Sequence, residues 1–560
     1  MLINLQNIGK TIGAKKLYSD LDITIQGGEK VGLIGRNGIG KTTLLGIMDG
    51  SDKTFTGSLE QRRGLVIAST AQEHHEVADQ AVLEYVLENL PEYKHLHHIL
   101  TTYPDKMGED MALISAYTDA LSRFGELDYY DIELRARQEL EDFQVPAARI
   151  DGPMKALSGG QKRFVELVKV TLSDADLALI DEPTNHMDYI AKEAFIEWLE
   201  ACKQAVVVIT HDRDVLAVVD RIVEIKDKGT SSYNGDYENY LKQNGRTTMN
   251  AVEQYEFDQR TLTNLHGQVM EARRKKNKAA GPSAVRFRIM EDRLQRQYND
   301  LKSRITKPSF WIDADQLGGM QNKMVAKYDK YKAKNIRINT REVVEGTRVL
   351  VDVEKLSLGY DVPLFDGISF ALKQGERIEL KGRNGVGKST LVKAILATAG
   401  STKLGSSIFG GTIILDPKIK IGVYEQEIDP KYLKLALGQA IMEAYSDADV
   451  PVNEQKVKQI MSDYLFEPQL DGLLPIERLS GGQKARFQLI KMLCAGPNLL
   501  ILDEPTNHLD LPSIEELEKA LDRYTGSVLY ISHDSYFTRG VGGEVVEVLP
   551  AEKASSIIGQ

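Results

Sequence analysis

The chain has 560 residues, 42% hydrophobic and 27% charged, with a formal net charge of -11 and a mean hydropathy of -0.29. This length exceeds one hydrophobic core and predicts three or four domain-sized units. No apolar run approaches the roughly 18 residues of a membrane helix, MLINLQNIGK lacks the charged and apolar regions of a signal peptide, and two cysteines, Cys202 and Cys494, are too few for a disulfide framework or zinc site. Both cysteines read as core residues of a cytoplasmic protein.

In chain order, the first informative stretch is KVGLI, a strand, then Gly35-Arg36-Asn37-Gly38-Ile39-Gly40-Lys41-Thr42, then the helical TTLLGIM. Strand, glycine-rich loop and helix in that order predict a phosphate-binding loop. The glycines let backbone N–H groups converge on a β-phosphate, and the helix N-terminus adds partial positive charge. Lys41 is placed to neutralise β and γ oxygens, and the Thr42 hydroxyl to ligate Mg²⁺. Gln72 ends a short apolar run and could touch Mg²⁺ and the attacking water.

Residues 73–156 alternate charged and apolar residues at helical spacing. An arm that touches a partner and a helical subdomain packed on its own domain are both open, the second being favoured. His74, His75, His95, His97 and His98 crowd this region; without a completing carboxylate or Cys pattern they read as a solvated helical surface rather than a metal site. LSGGQKRF follows at 157–164 and LALIDEPTNHMD at 177–188. Asp181 ends a buried strand and suits an outer Mg²⁺ contact, while Glu182 is placed to polarise the attacking water. His211, after another apolar strand, can reach a γ-phosphate.

About 100 residues without such motifs come next. From Tyr240 the pattern is helical and polar, and it breaks near Gly281-Pro282. A helical hairpin is expected, about 36 residues and roughly 54 Å long, its tip within 277–318. Residues 271–337 hold 18 Lys/Arg against 7 Asp/Glu, a surplus of 11 in a chain of total -11, so the remainder carries -22. Cations interleaved with planar side chains match an RNA-contacting surface. The candidates are Arg273, Arg274, Lys275, Lys276, Lys278, Arg286, Phe287, Arg288, Lys307, Phe310 and Trp311.

The second half repeats the first. GLIGRNGIGKTTL returns as ELKGRNGVGKSTL, LSGGQKRF as LSGGQKARF and LALIDEPTNHMD as LLILDEPTNHLD. Leu157 and Leu479, Asp181 and Asp503, and His211 and His533 share one offset of 322. Duplication gives Gly382, Asn384, Gly385, Gly387, Lys388 and Ser389 the loop roles, with Gln426, Asp503, Glu504 and His533 matching their first-half counterparts.

With the phosphate loop, Gln, LSGGQ, DEPTNH and His in both halves, nearly the whole chain resembles the ABC-type ATPases. The resemblance implies an α/β fold: two ABC-type P-loop ATPase domains, 1–241 and 346–560, joined by a long α-helical hairpin linker, 242–345. It implies two composite ATP sites, each pairing one domain's loop with the other's signature: Ser480, Gly482 and Gln483 for the first, Ser158, Gly160 and Gln161 for the second. Thr43 and Thr390 join the nucleotide contacts. Tyr360 matches an adenine-stacking aromatic, whereas the first domain has only Ile12 near that place.

Two fused domains without a membrane segment are similar to the ABC-F group. That likeness implies a cytoplasmic, monomeric ATP hydrolase using ATP and Mg²⁺, whose hairpin meets ribosomal RNA and tRNA near the tRNA exit site and peptidyl-transferase centre. Protection of ribosomes from antibiotics is expected. A general translation factor of the same group and the energy subunit of a membrane transporter are the rival readings.

Overall fold

The computed structural model describes all residues except 14, 72–76, 107, 109, 144, 186, 227, 279–280, 305–347, 401–404, 426–427, 465, 480, 508 and 552–560. Gln72, Gln426, Ser480, His74, His75, Lys307, Phe310 and Trp311 therefore lie outside the described residues. The chain forms two units, Met1–Ser232 with Ile336–Gln560, and Tyr233–Asn335.

Within the first unit, each half of the sequence builds a parallel sheet flanked by a small antiparallel one. The first of these sheets orders Ile67–Ser69, Leu177–Asp181, Ala205–Ile209, Lys30–Ile34, Arg221–Ile225 and Thr230–Asn234, the first five strands being parallel. LALID and AVVVI are buried at every position, which explains why they read as continuous apolar runs rather than alternating ones. The second parallel sheet orders Ile421–Tyr424, Leu499–Asp503, Ser527–Ile531, Arg377–Lys381 and Glu544–Glu547. The antiparallel sheets, centred on Ile3–Ile12 and Val349–Gly359, pack with the parallel sheets around separate cores.

In both halves the phosphate loop, the aspartate and the histidine leave the carboxyl ends of adjacent parallel strands. A sheet of this kind collects ligands at that edge.

The long helical region of the first half packs on its own domain. Tyr85, on the helix Val82–Glu88, donates its hydroxyl to the Oε1 of buried Glu166 at 2.5 Å, and Lys169 holds the Oε2 at 2.6 Å. Glu166 and Lys169 lie on the helix Gly159–Leu172, which begins in the LSGGQ signature. Tyr93, Phe124 and Tyr129 interlock with one another, their centroids 5.6–6.0 Å apart. His95, His97 and His98 stand on the exposed face of the helix Tyr93–Thr102. The cysteines depart from expectation: both are half-buried rather than in the core. Cys202 caps the end of Tyr189–Ala201, and the Cys494 thiol donates to the Lys491 carbonyl.

The second unit is a hairpin. An outgoing helix, Tyr237–Lys278, has 42 residues, about 63 Å of rise, and begins three residues before the expected start. The chain reverses before Pro282, with Gly281 at φ +66°, and Pro282–Arg304 returns antiparallel. Leu265, Val269, Ala272 and Leu294 form the seam. His266 faces Tyr298 at 5.6 Å and Lys276 Nζ donates to Glu291 at 2.5 Å. The helix holding residues 286–304 thus runs back along the stem.

Candidate functional site

The first loop is shaped by backbone that side chains disfavour. Gly38 and Gly40 have φ of +76° and +101°, and a Cβ on Gly40 would lie 2.8 Å from Leu17. Gly387 repeats this at φ +105°, a Cβ there meeting Phe365 at 2.9 Å. Only glycine fits such positions, so the loop wraps tightly before the helices Lys41–Met48 and Lys388–Thr398 begin.

Buried Lys41 folds back over the loop. Its Nζ donates to the Gly35 carbonyl at 2.8 Å and to Asn37 Oδ1 at 3.4 Å, and it meets His211 Nε2 at 2.9 Å. An ammonium has no acceptor, so His211 accepts through Nε2 and is neutral. Burial and the Lys41 charge depress the His211 pKa, while Lys41 is itself lowered by burial. Thr42 Oγ1 donates to Asp181 Oδ2 at 2.6 Å. In the second loop, Lys388 donates to the carbonyls of Gly382 at 2.7 Å and Arg383 at 3.0 Å. Ser389 donates to Asp503, whose pKa is raised by burial. Asn37, Asn384, Gly385, Thr43 and Thr390 are all in place along the loops and first helical turns.

Glu182 and Glu504 directly follow their buried strands with φ of +46° and +47°. This left-handed backbone costs about 1–3 kcal/mol in a non-glycine residue and concentrates at functional sites. Each strained residue is tied down by its N–H, Glu182 to the Ile209 carbonyl at 2.9 Å and Glu504 to that of Ile531 at 3.0 Å. Burial pushes the Glu182 carboxyl up to about 8 and Glu504 up to about 7. Glu504 Oε1 lies 3.1 Å from His533 Nε2, against 3.7 Å for Glu182 and His211. His533 is held down to about 3, first by burial and then by Lys388. These paired shifts, acids up and imidazoles down, keep anionic charge out of the site and favour a polyanion carrying its own cation.

The domains meet through these same loops. Asp188 and Asp510, the last residues of LALIDEPTNHMD and LLILDEPTNHLD, each bridge to the opposite domain. Asp510 Oδ2 accepts from the Asn37 N–H at 3.2 Å, and Asp188 Oδ2 accepts from the Asn384 N–H at 3.0 Å. Asn37, Glu182, His211, Glu504 and His533 line one chamber of about 610 Å³, together with Gly159, Lys162 and Arg163 of the first signature helix.

Other candidates are engaged differently. Ser158 and Gln161 form a capping box at 3.0 and 3.3 Å that starts the signature helix. Gln483 donates to Asp471 Oδ1 at 3.1 Å. Gly160 and Gly482 lie in the first turns of the two signature helices, and Ser158 stands exposed at the start of the first. Tyr360 is 57% exposed at the end of its strand. Loop packing aligns it with Gly13 rather than Ile12, because Leu17 and Tyr18 meet Gly40 as Leu364 and Phe365 meet Gly387. Sequence reasoning missed the interdomain role of Asp188 and Asp510, although both recur in register.

On the hairpin, Arg273, Arg274, Lys275, Lys278, Arg286 and Arg288 are exposed at the end where the chain reverses, while Lys276 and Phe287 are half-buried. Arg274, Lys278, Arg286 and Arg288 have no carboxylate partner among the described residues. Val285, Ile289 and Met290 are exposed beside them, an apolar component that charge counting overlooked.

The ABC transporter family model matches residues 18–185 and 365–507. The chain is 31% identical to the probable ATP-binding protein YheS of Escherichia coli (strain K12), over 94% of this chain and 75% of YheS. It is 29% identical to the putative ATP-binding protein YdiF of Bacillus subtilis (strain 168), over 98% and 80%. ABC transporter F family member 5 of Arabidopsis thaliana is 29% identical over 98% and 75%. Among solved structures, the archaeal ribosome recycling factor aABCE1, in complex with ribosomal stalk protein aP1, aligns with a TM-score of 0.54 at 17% identity, covering 97% of this chain and 87% of that one; it shares the fold. No helix among the described residues is long and apolar enough to cross a membrane. The chain is an ATP-binding ATP hydrolase that belongs to the ABC family and, within it, to the ABC-F group.

Proposed function

We propose that this ATPase binds ribosomes with ATP at both sites, inserts its linker near the tRNA exit site and peptidyl-transferase centre, and leaves after hydrolysis. The observation that carries the reading is the hairpin: about 63 Å of outgoing helix ending in exposed cations. The rest of the chain is acidic and repels phosphate, so RNA contact concentrates there. The cytoplasm is where such a partner is met.

At the nucleotide sites, Glu182 and Glu504 polarise the attacking water, and His211 and His533 face the γ-phosphate. Lys41 and Lys388 neutralise β and γ oxygens. Ser158, Gly160 and Gln161 complete the second site across the interface, with Ser480, Gly482 and Gln483 completing the first. The hydroxyl–carboxylate pairs of Thr42 with Asp181 and Ser389 with Asp503 are hard oxygen donors that fit Mg²⁺, with Gln72 and Gln426 as further ligands. Bound there, Mg²⁺ would neutralise charge on the β and γ oxygens. ATP spanning both domains favours the closed arrangement, so nucleotide state sets RNA affinity.

We assign the cellular role as protection of ribosomes from antibiotics. Growth of an expressing strain on ribosome-targeting drugs tests it: reduced susceptibility to at least one class is expected. Unchanged susceptibility across all classes would replace protection with a general role in translation.

A further inference from the structure

The duplicated sites are supported unequally. Lys192, 6% exposed on the helix Tyr189–Ala201, reaches across the domain interface, and its Nζ donates to the backbone carbonyl of His533 at 3.0 Å. Asp212 Oδ2 at 3.0 Å and Asp214 hold the ammonium from its own domain. Beside it, buried Arg213 binds Glu518, donates to Asp534 Oδ2 at 3.2 Å and stacks 5.0 Å from the Tyr536 ring, all in the opposite domain. Ser535 donates to Asp214 to close the cluster.

The offset of 322 puts Ile514 at the Lys192 position of the second domain and Ser535 at that of Arg213. Ile514 lines the same chamber but has no donor. Among the described residues, the first domain's histidine therefore receives no matching cation from this position of the second. The catalytic pairs differ accordingly: His533 and Glu504 are 3.1 Å apart, whereas His211 is 3.7 Å from Glu182 and bound to Lys41.

We propose that Lys192 is a positioning residue for the second ATP site: by holding the His533 carbonyl from the opposite domain, it keeps the imidazole against Glu504 only while the domains are closed. The first site lacks this support and works independently of Lys192. The inference rests on the assignment of Glu504 and His533 to ATP hydrolysis, not on ribosome binding.

The test measures single-turnover ATP hydrolysis by the full chain without ribosomes. Lys192→Met is placed in Glu182→Gln, where only the second site can work, and in Glu504→Gln, where only the first can. The expected result is at least about a tenfold fall in the hydrolysis rate constant in the Glu182→Gln background, with ATP affinity changed less than about twofold, and a rate within about twofold in the Glu504→Gln background. Lys192→Gln, which retains a donor for the carbonyl, should lose less, again at the second site alone. Equal losses in both backgrounds, or no loss in either, would overturn the proposal. Failure of Glu504→Gln itself to slow hydrolysis would instead overturn the site assignment.

Discussion

Asp188 joins the two ATPase domains with one carboxylate: Oδ2 accepts from the Asn384 N–H in the opposite phosphate loop at 3.0 Å, while Oδ1 accepts from Ala191 N at 3.0 Å and caps its own helix. Asp510 repeats the arrangement, with Oδ2 on Asn37 and Oδ1 capping at Ser513. Each residue therefore starts a helix and reports whether the other domain is docked.

Asp188→Ser separates the two roles. Serine is as good an N-cap as aspartate, so the melting temperature should hardly move, but it is too short to reach Asn384. A charge-assisted bond contributes about 1.5–3 kcal/mol, and its loss from the closed state should cut kcat/KM for ATP about tenfold. Steady-state ATPase assays with parallel thermal melts check this.

Glu182→Gln and Glu504→Gln should each slow hydrolysis at their own site by at least about a hundredfold while leaving ATP binding intact. Glutamine keeps the shape, and it accepts the left-handed backbone at the same cost as glutamate. Quench-flow hydrolysis beside nucleotide-binding titrations distinguishes lost chemistry from lost affinity.

The raised carboxyl pKa values predict an acid limb. A general base must be ionised, so kcat/KM should climb through the range from about 7 for Glu504 to about 8 for Glu182 and level off above it. Stability carries the same groups with the opposite slope. Between the ordinary value of 4.5 and the raised values, the folded state binds more protons than the unfolded one, so these carboxyls reduce stability as pH rises through that window. His533, depressed from 6.5 to about 3, contributes stability above 6.5 that is lost as pH falls towards 3. Melting the Glu→Gln variants from pH 5 to 8 should show a smaller decline than the parent chain.

Much of this was legible because the sequence repeats. Loop, signature, carboxylate pair and histidine recur in register, so the parallel sheets and the site residues at their carboxyl edges could be read from spacing. The Gly281-Pro282 break marked the hairpin reversal for the same local reason, helix-breaking backbone chemistry. What does not recur stayed hidden. Lys192 and Arg213 have uncharged counterparts, Ile514 and Ser535, and their partners lie over 300 residues away. The left-handed backbone of Glu182 and Glu504 has no sequence signal, since glutamate ordinarily avoids it. The cysteines misled because apolar neighbours in sequence were read as burial, whereas both sit at helix ends.

Reversing charge at the end of the hairpin should uncouple binding from catalysis. Arg274, Lys278, Arg286 and Arg288 changed together to Glu should abolish RNA-dependent binding and leave ribosome-free ATPase within about twofold of the parent. Single Ala variants at these positions should each weaken binding and flatten its salt dependence by slightly under one unit of log–log slope. Fluorescence anisotropy with ribosomal RNA fragments over a salt series, beside a phosphate-release assay, checks both arms.

On the proposed function, ATP drives this chain onto the ribosome through its hairpin. The most direct measurement is sucrose-gradient co-sedimentation of the Glu182→Gln, Glu504→Gln double variant with purified ribosomes, with and without ATP. The variant should travel with ribosomes only when ATP is present, and reversing the charge of Arg274, Lys278, Arg286 and Arg288 together should keep it at the top of the gradient. A variant that stays at the top with ATP bound, and instead follows membranes, would show that the hairpin does not carry the chain to ribosomes.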